Sequence, residues 1–235
     1  MATITQKTQR QAEAVLKGNK RMKFDQIRQR HFWSSYFFTA DASGYVPANR
    51  YSLFTTPVGS NGQGFPSGQI ITDRESNWKS QNRVPDNQNF KISEIGCSVM
   101  SAAFAIGGTA EDVLKPPSPN ALSSFFQSAI LSITYLTNSV PLGVLADFAQ
   151  SSAPYLGVHN TVGTAANYNS VAINGLAAPA LRRKFKIPII LGAGEAFNFT
   201  IELPRPSYIG YGASAYTPFL VRVDFWATES FAEKS

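Results

Sequence analysis

In the segments that most constrain the fold, apolar residues recur at every second position. In 218-PFLVRVDFWAT-228, Phe219, Val221, Val223 and Phe225 fall on one side and Arg222 and Asp224 on the other. That period marks a half-buried β-strand, because a helix would bring every third or fourth residue to one face. The same period runs through 185-FKIPIILGAGEAFNFTIELPRP-206. Phe185, Ile187, Ile189 and Leu191 alternate, and after Gly192-Ala193-Gly194-Glu195 the pattern restarts with Phe197, Phe199, Ile201 and Leu203. Further strands are predicted at 50–57, 89–104 and 127–137, weaker ones at 142–147 and 169–175, and a short helix at 120–127 capped by Asn120. This series of short strands predicts an all-β sandwich or barrel, mostly antiparallel. The long loops 58–88, 105–120 and 148–180 are rich in uncharged polar residues. Such loops are expected to cover neighbouring subunits rather than line a catalytic pocket.

The glycines between the two alternating runs do not read as a phosphate loop. That loop needs a third glycine and a following helix, whereas here Phe197 stands in the third position and a strand follows. The reading is a tight corner between two paired strands, with Glu195 as a turn carboxylate. Pro188 cannot donate to a ladder, which favours an edge or bulged position for the first of these strands.

Charge is scarce and unevenly placed. Charged residues make up 15% of the 235, and the net charge is +6. Residues 1–35 contain Lys7, Arg10, Lys17, Lys20, Arg21, Lys23, Arg28 and Arg30 against only Glu13 and Asp25, so they account for the whole excess. The chain divides into a basic N-terminal arm, 1–35, extended or helical, and a near-neutral body, 36–235. An exposed cationic arm gains affinity for phosphates by releasing counterions. A solvated basic helix and a membrane-surface role are the alternatives, the latter using the aromatics of 31-HFWSSYFF-38. Arg182, Arg183, Lys184 and Lys186 form a second basic cluster at the entry to a strand. It reads as charge that protects an edge strand, or as a patch touching nucleic acid or lipid headgroups.

The chemistry-bearing residues are few. One cysteine, Cys97, excludes a disulfide framework, and it reads as a small buried hydrophobe. His31 and His159 are the only histidines, too few for a metal centre inside a barrel. No G-x-S-x-G elbow occurs. The opening MATITQKTQRQ lacks an apolar core, so no signal peptide is expected, and no apolar run reaches the roughly 20 residues of a spanning helix. The expectation is a non-enzymatic protein made in the cytoplasm, with no cofactor, no metal and no small-molecule substrate.

The runs 51-YSLFTTPVGSNGQGFPSGQIITDRESNW-78 and 84-VPDNQNFKISEIGCSV-99 resemble the opening of the jelly-roll capsid proteins of small tailless icosahedral bacterial viruses. The segments 188-PIILGAGEAFNFTIELP-204 and 219-FLVRVDFWA-227 are similar to that family's hairpin and closing strand. One departure is the ending, Phe225-Trp226-Ala227 where such chains often have Leu-x-Gly. The resemblance implies a single jelly roll and a virion location. It also implies self-assembly into an icosahedral coat around a genome or an internal membrane, with the basic arm facing inward. Partners would be other copies of the chain, other virion proteins, and nucleic acid or lipid through the arm. Tyr208, Tyr211 and Tyr216, in aromatic-rich loops, are the subunit-interface candidates. The alternative is a lectin-like or receptor-binding sandwich, such as a minor or vertex protein, with Trp78, Tyr155 or Tyr168 as stacking platforms. A third reading makes the arm the main function, in a DNA-binding accessory protein.

Overall fold

The computed structural model describes residues 27–101, 119–135, 138–149, 156–161, 168–173, 182–209 and 218–231. Twelve strands occur among them, almost all antiparallel. In chain order they are β1 (Ile27–Phe38), β2 (Tyr45–Val46), β3 (Arg50–Leu53), β4 (Gln88–Ser101), β5 (Ile130–Tyr135), β6 (Asn138–Val144), β7 (Leu156–Thr161), β8 (Tyr168–Ile173), β9 (Arg183–Leu191), β10 (Phe197–Glu202), β11 (Ser207–Tyr208) and β12 (Phe219–Phe231). One helix, α1 (Pro119–Ser128), precedes β5, and a 3₁₀ turn (Leu145–Phe148) follows β6.

Eight of these strands make two four-stranded sheets, in the orders β1-β12-β4-β9 and β3-β10-β5-β6. The pairing is nested. The first of the eight pairs with the last (β1 with β12), the second with the seventh (β3 with β10), the third with the sixth (β4 with β9), and the middle two with each other. β2 pairs with β11, and β7 with β8.

Side-chain alternation packs the sheets together. Phe219, Val221, Val223 and Phe225 of β12 are buried, as are Phe199 and Ile201 of β10 and Leu131 and Ile133 of β5. Phe225 meets Phe199 at 5.8 Å and Phe54 at 5.1 Å between ring centroids. Cys97 lies in this core, its thiol within 3.3 Å of the Leu145 carbonyl.

β1 was not among the strands expected. Its residues 27–35 belong to the stretch assigned to the arm, yet they pair along β12 from Ile27↔Ser230 to Ser35↔Arg222. β1 hides from a period-two reading because both of its faces are covered at one end. Phe38 points into the main core, while Phe37 joins Phe65, Ile71 and Leu220 in a second cluster on the outer side.

The loop between β3 and β4 makes that second cover, and its role differs from the expected one. Rather than waiting for another subunit, much of it closes the open edge of β1. The Phe37 amide donates to the Gln63 carbonyl at 2.9 Å, and the Asn77 amide to the Trp33 carbonyl at 3.1 Å. The buried Gln63 side-chain amide donates to Ser34 Oγ at 2.8 Å and to the Ser35 carbonyl at 2.6 Å. Along residues 31–37 the edge is thereby closed to a foreign strand. The close approach requires Gly64, which has φ +81°; a Cβ there would stand 2.3 Å from the Phe37 carbonyl oxygen.

The Gly192–Glu195 corner also departs from expectation. It is a tight turn, with Gly194 at φ +74° and the Gly192 amide donating to the Glu195 carboxylate at 2.7 Å. The strands it joins do not pair, however. β9 belongs to the first sheet and β10 to the second, so the turn carries the chain from one sheet to the other. Backbone bonds to Val84 hold the corner in place, Val84 N–H to the Glu195 carbonyl at 2.9 Å and Gly194 N–H to the Val84 carbonyl at 3.2 Å.

Two buried groups make the fold sensitive to alkaline pH. Burial pushes the Cys97 thiol well above its ordinary 9.0. Burial, with Tyr36 beside it, pushes Tyr51 from 10.0 up to about 12. Each keeps its proton in the fold at a pH where the unfolded chain has lost it. Stability is therefore complete below these ordinary values and falls as pH rises, first through the thiol and then, from 10.0 to about 12, through Tyr51. Denaturant titrations over that range are expected to show a shallower decline for Tyr51→Phe than for the parent chain. Identical slopes would contradict this account.

Candidate interaction surface

Sheet alternation puts His31 and Trp33 of β1 and Arg222, Asp224 and Trp226 of β12 on the outer face of the first sheet. Asp224 is opposite Trp33, and Trp226 opposite His31. The rings and guanidinium groups form a continuous stack. The Arg222 guanidinium lies 4.7 Å from the Trp33 ring centre, and Trp33 is 5.1 Å from His31. His31 lies parallel to Trp226 at 4.4 Å, and Arg182 caps the other end at 3.8 Å from the Trp226 ring.

Beneath the stack Asp224 is 1% exposed. Its Oδ1 accepts from His31 Nε2 at 2.6 Å and from Arg222 Nε and an Arg222 terminal nitrogen at 2.8 and 2.6 Å. A buried carboxylate persists only when paired and hydrogen-bonded in this way. At the far end Glu94 pairs with Arg182 at 3.5 Å and Lys184 at 3.8 Å. Chemically the stack is closed. Both faces of Trp226 are occupied, so it offers no platform for a base or a sugar. Its cations are spent on its own rings and carboxylates, and it fastens β1 and the residue leading into β9 to β12.

The arm cations Lys7, Arg10, Lys17, Lys20, Arg21 and Lys23 lie outside the described residues. Arg28 and Arg30 are on β1 and turn toward the protein's own β12. Arg28 lies 5.8 Å from the Phe231 ring centre, and Arg30 Nε lies 3.4 Å from the fully buried carboxylate of Glu229.

In the second cluster Arg182 is held by Trp226 and Glu94 as described, whereas Arg183, Lys184 and Lys186 are exposed along β9. β9 is an edge strand and is also bulged, the two positions that Pro188 favours. Lys184 is opposite Glu94 and Ile189 opposite Ile92, so residues 185–188 arch over the single residue Ser93. Tyr208 is 42% exposed on β11 and packs edge-on against Tyr45 at 5.1 Å; Tyr211 and Tyr216 lie outside the described residues.

Of the proposed stacking platforms, Trp78 is excluded. It is 2% exposed and buried among Phe32, Phe54, Phe90, Phe197 and Phe225. The Asn77-Trp78 segment runs beside β1 instead of projecting into solvent, which turns the indole inward. Tyr155 lies outside the described residues, and Tyr168 begins β8, opposite Thr161. Sequence reasoning missed the stack, although its signal was present: 31-H-x-W-33 and 222-R-x-D-x-W-226 each place polar and aromatic residues on the side of the strand away from the core. Among the described residues no three His, Cys, Asp or Glu side chains gather as a metal site, and no helix is long and apolar enough to cross a membrane. No protein-family model, curated protein or solved structure matches this chain.

Proposed function

We propose that this protein is the structural subunit of an icosahedral viral coat, a single jelly roll that assembles with copies of itself. The observation that carries the reading is the nested pairing of eight strands into the orders β1-β12-β4-β9 and β3-β10-β5-β6. A long antiparallel ribbon rolled once into two facing sheets has that pairing, and the jelly roll is such a ribbon. The sparse charge of the chain supports the same reading, since surfaces poor in charge are the cheaper to desolvate between subunits. In this reading the residues before β1, with their six cations, extend from the edge of the first sheet toward the packaged genome or a neighbouring subunit. The half-exposed Tyr45–Tyr208 pair belongs to a contact between copies.

Electron microscopy of the purified full chain tests the proposal. Shells, rings or sheets are the expected result. A strict monomer across a wide range of concentration and salt would rule it out. Removing residues 1–26 leaves β1 intact, and is expected to reduce nucleic-acid packaging while leaving the fold unchanged. Equal packaging by the truncated chain would remove the arm from the account.

A further inference from the structure

We propose that the bulged edge of β9 is a contact surface for an anionic lipid bilayer. The two most exposed large apolar side chains among the described residues are Ile187 at 80% and Ile190 at 64%, both on this strand. Ile187 stands in the arch of residues 185–188, and Ile190 is opposite the exposed Lys91 of β4. Around them are Lys184, Lys186 and Lys91, with Glu94 as the nearby carboxylate, itself bridged by Arg182 and Lys184, while Arg183 stands opposite the buried Ile95. Protruding aliphatic groups beside exposed lysines suit one kind of surface: the aliphatics enter the acyl boundary while the ammonium groups meet phosphate headgroups.

The alternatives fit less of this edge. A second copy adding a strand to β9 would find no donor at Pro188 and an interrupted ladder across the arch. Two copies meeting edge to edge would bring like charges together. A nucleic acid would use the cations but leave both isoleucines in water. The proposal does not depend on shell formation, because the surface belongs to a single chain.

The test uses the full chain and vesicles of phosphatidylcholine with or without phosphatidylglycerol. Co-sedimentation with the anionic vesicles alone is expected. The double variant Ile187→Ser/Ile190→Ser is expected to bind them about ten-fold more weakly, and Lys186→Glu several-fold more weakly. Both changes lie at exposed positions, so thermal unfolding should match the parent chain. An Ile187→Trp variant separates insertion from attraction of the basic arm: its added fluorescence should shift to the blue and be quenched by brominated lipid. Undiminished binding by the double serine variant would show that cations elsewhere carry the contact, and would overturn the proposal. So would an added indole signal that ignores vesicles but responds to protein concentration, which would make a second copy the occupant, or to added oligonucleotide, which would make it a nucleic acid.

Discussion

Replacing Trp78 with alanine is expected to lower the unfolding free energy by about 3–5 kcal/mol, a large part of the roughly 5–15 kcal/mol available to a domain. The indole is the meeting point of both sheets and the long loop. It contacts Phe197 edge-on at 5.1 Å, Phe32 at 5.5 Å and Phe54 at 5.8 Å, residues that come from β10, β1 and the position just after β3. Aromatic neighbours on several elements cannot all move inward to fill the space, so most of the cavity would remain. Trp78→Phe should cost much less, because it keeps a ring and removes an indole N–H that has no hydrogen-bond partner among the described residues. Denaturant titration of the three chains measures both effects. A loss below about 1 kcal/mol for the alanine variant would mean that the hub is not where stability resides.

The second large effect is expected at Asp224. Asp224→Ala removes the acceptor shared by His31 and Arg222, from a site where the carboxylate is almost wholly buried. Removing one member of a buried pair costs about 3–5 kcal/mol when its partner stays buried. Here the His31 and Arg222 side chains are 34% and 22% exposed, so water recovers part of the loss. A cost of about 2–3 kcal/mol is expected, with near-ultraviolet circular dichroism of the Trp33–His31–Trp226 stack altered at the same time. In a double-mutant cycle with His31→Ala, the pair should couple by more than about 0.5 kcal/mol. Strict additivity would show that the stack does not depend on its carboxylate.

Much of the fold was legible in the chain. The alternation in 219–225 is β12, and Arg222 and Asp224 do leave the core on the opposite side. Pro188 and the cations beside it correctly placed β9 at an edge, and the helix expected at 120–127 is α1, which begins at Pro119, so that Asn120 lies within it instead of capping it. The misses have a common physical origin. Residues 27–35 of β1 look like arm because their charges dominate the local composition, while the strand's aromatic end is covered on both sides and loses the two-residue period. Gly192–Glu195 was read as a hairpin because a tight turn looks the same whether the next strand pairs with the last or crosses to a facing sheet. Trp78 enters the lectin-like alternative as a stacking platform because a tryptophan within a polar loop carries no mark of which way the loop folds.

By itself the sequence determined the local and compositional facts: where strands run, where the chain must turn, that positive charge gathers before the sheets begin, and that catalytic groups are scarce. These follow from steric period, glycine and proline geometry, and the count of side chains. Only the tertiary structure decided which strands are partners, that the long loop closes the edge of β1, that His31 and Asp224 meet across 193 residues, and that Ile187 stands exposed on an arch. Those outcomes depend on long-range pairing, in which each strand's place is set by the other strands it can bury against, and no local window of residues contains that information.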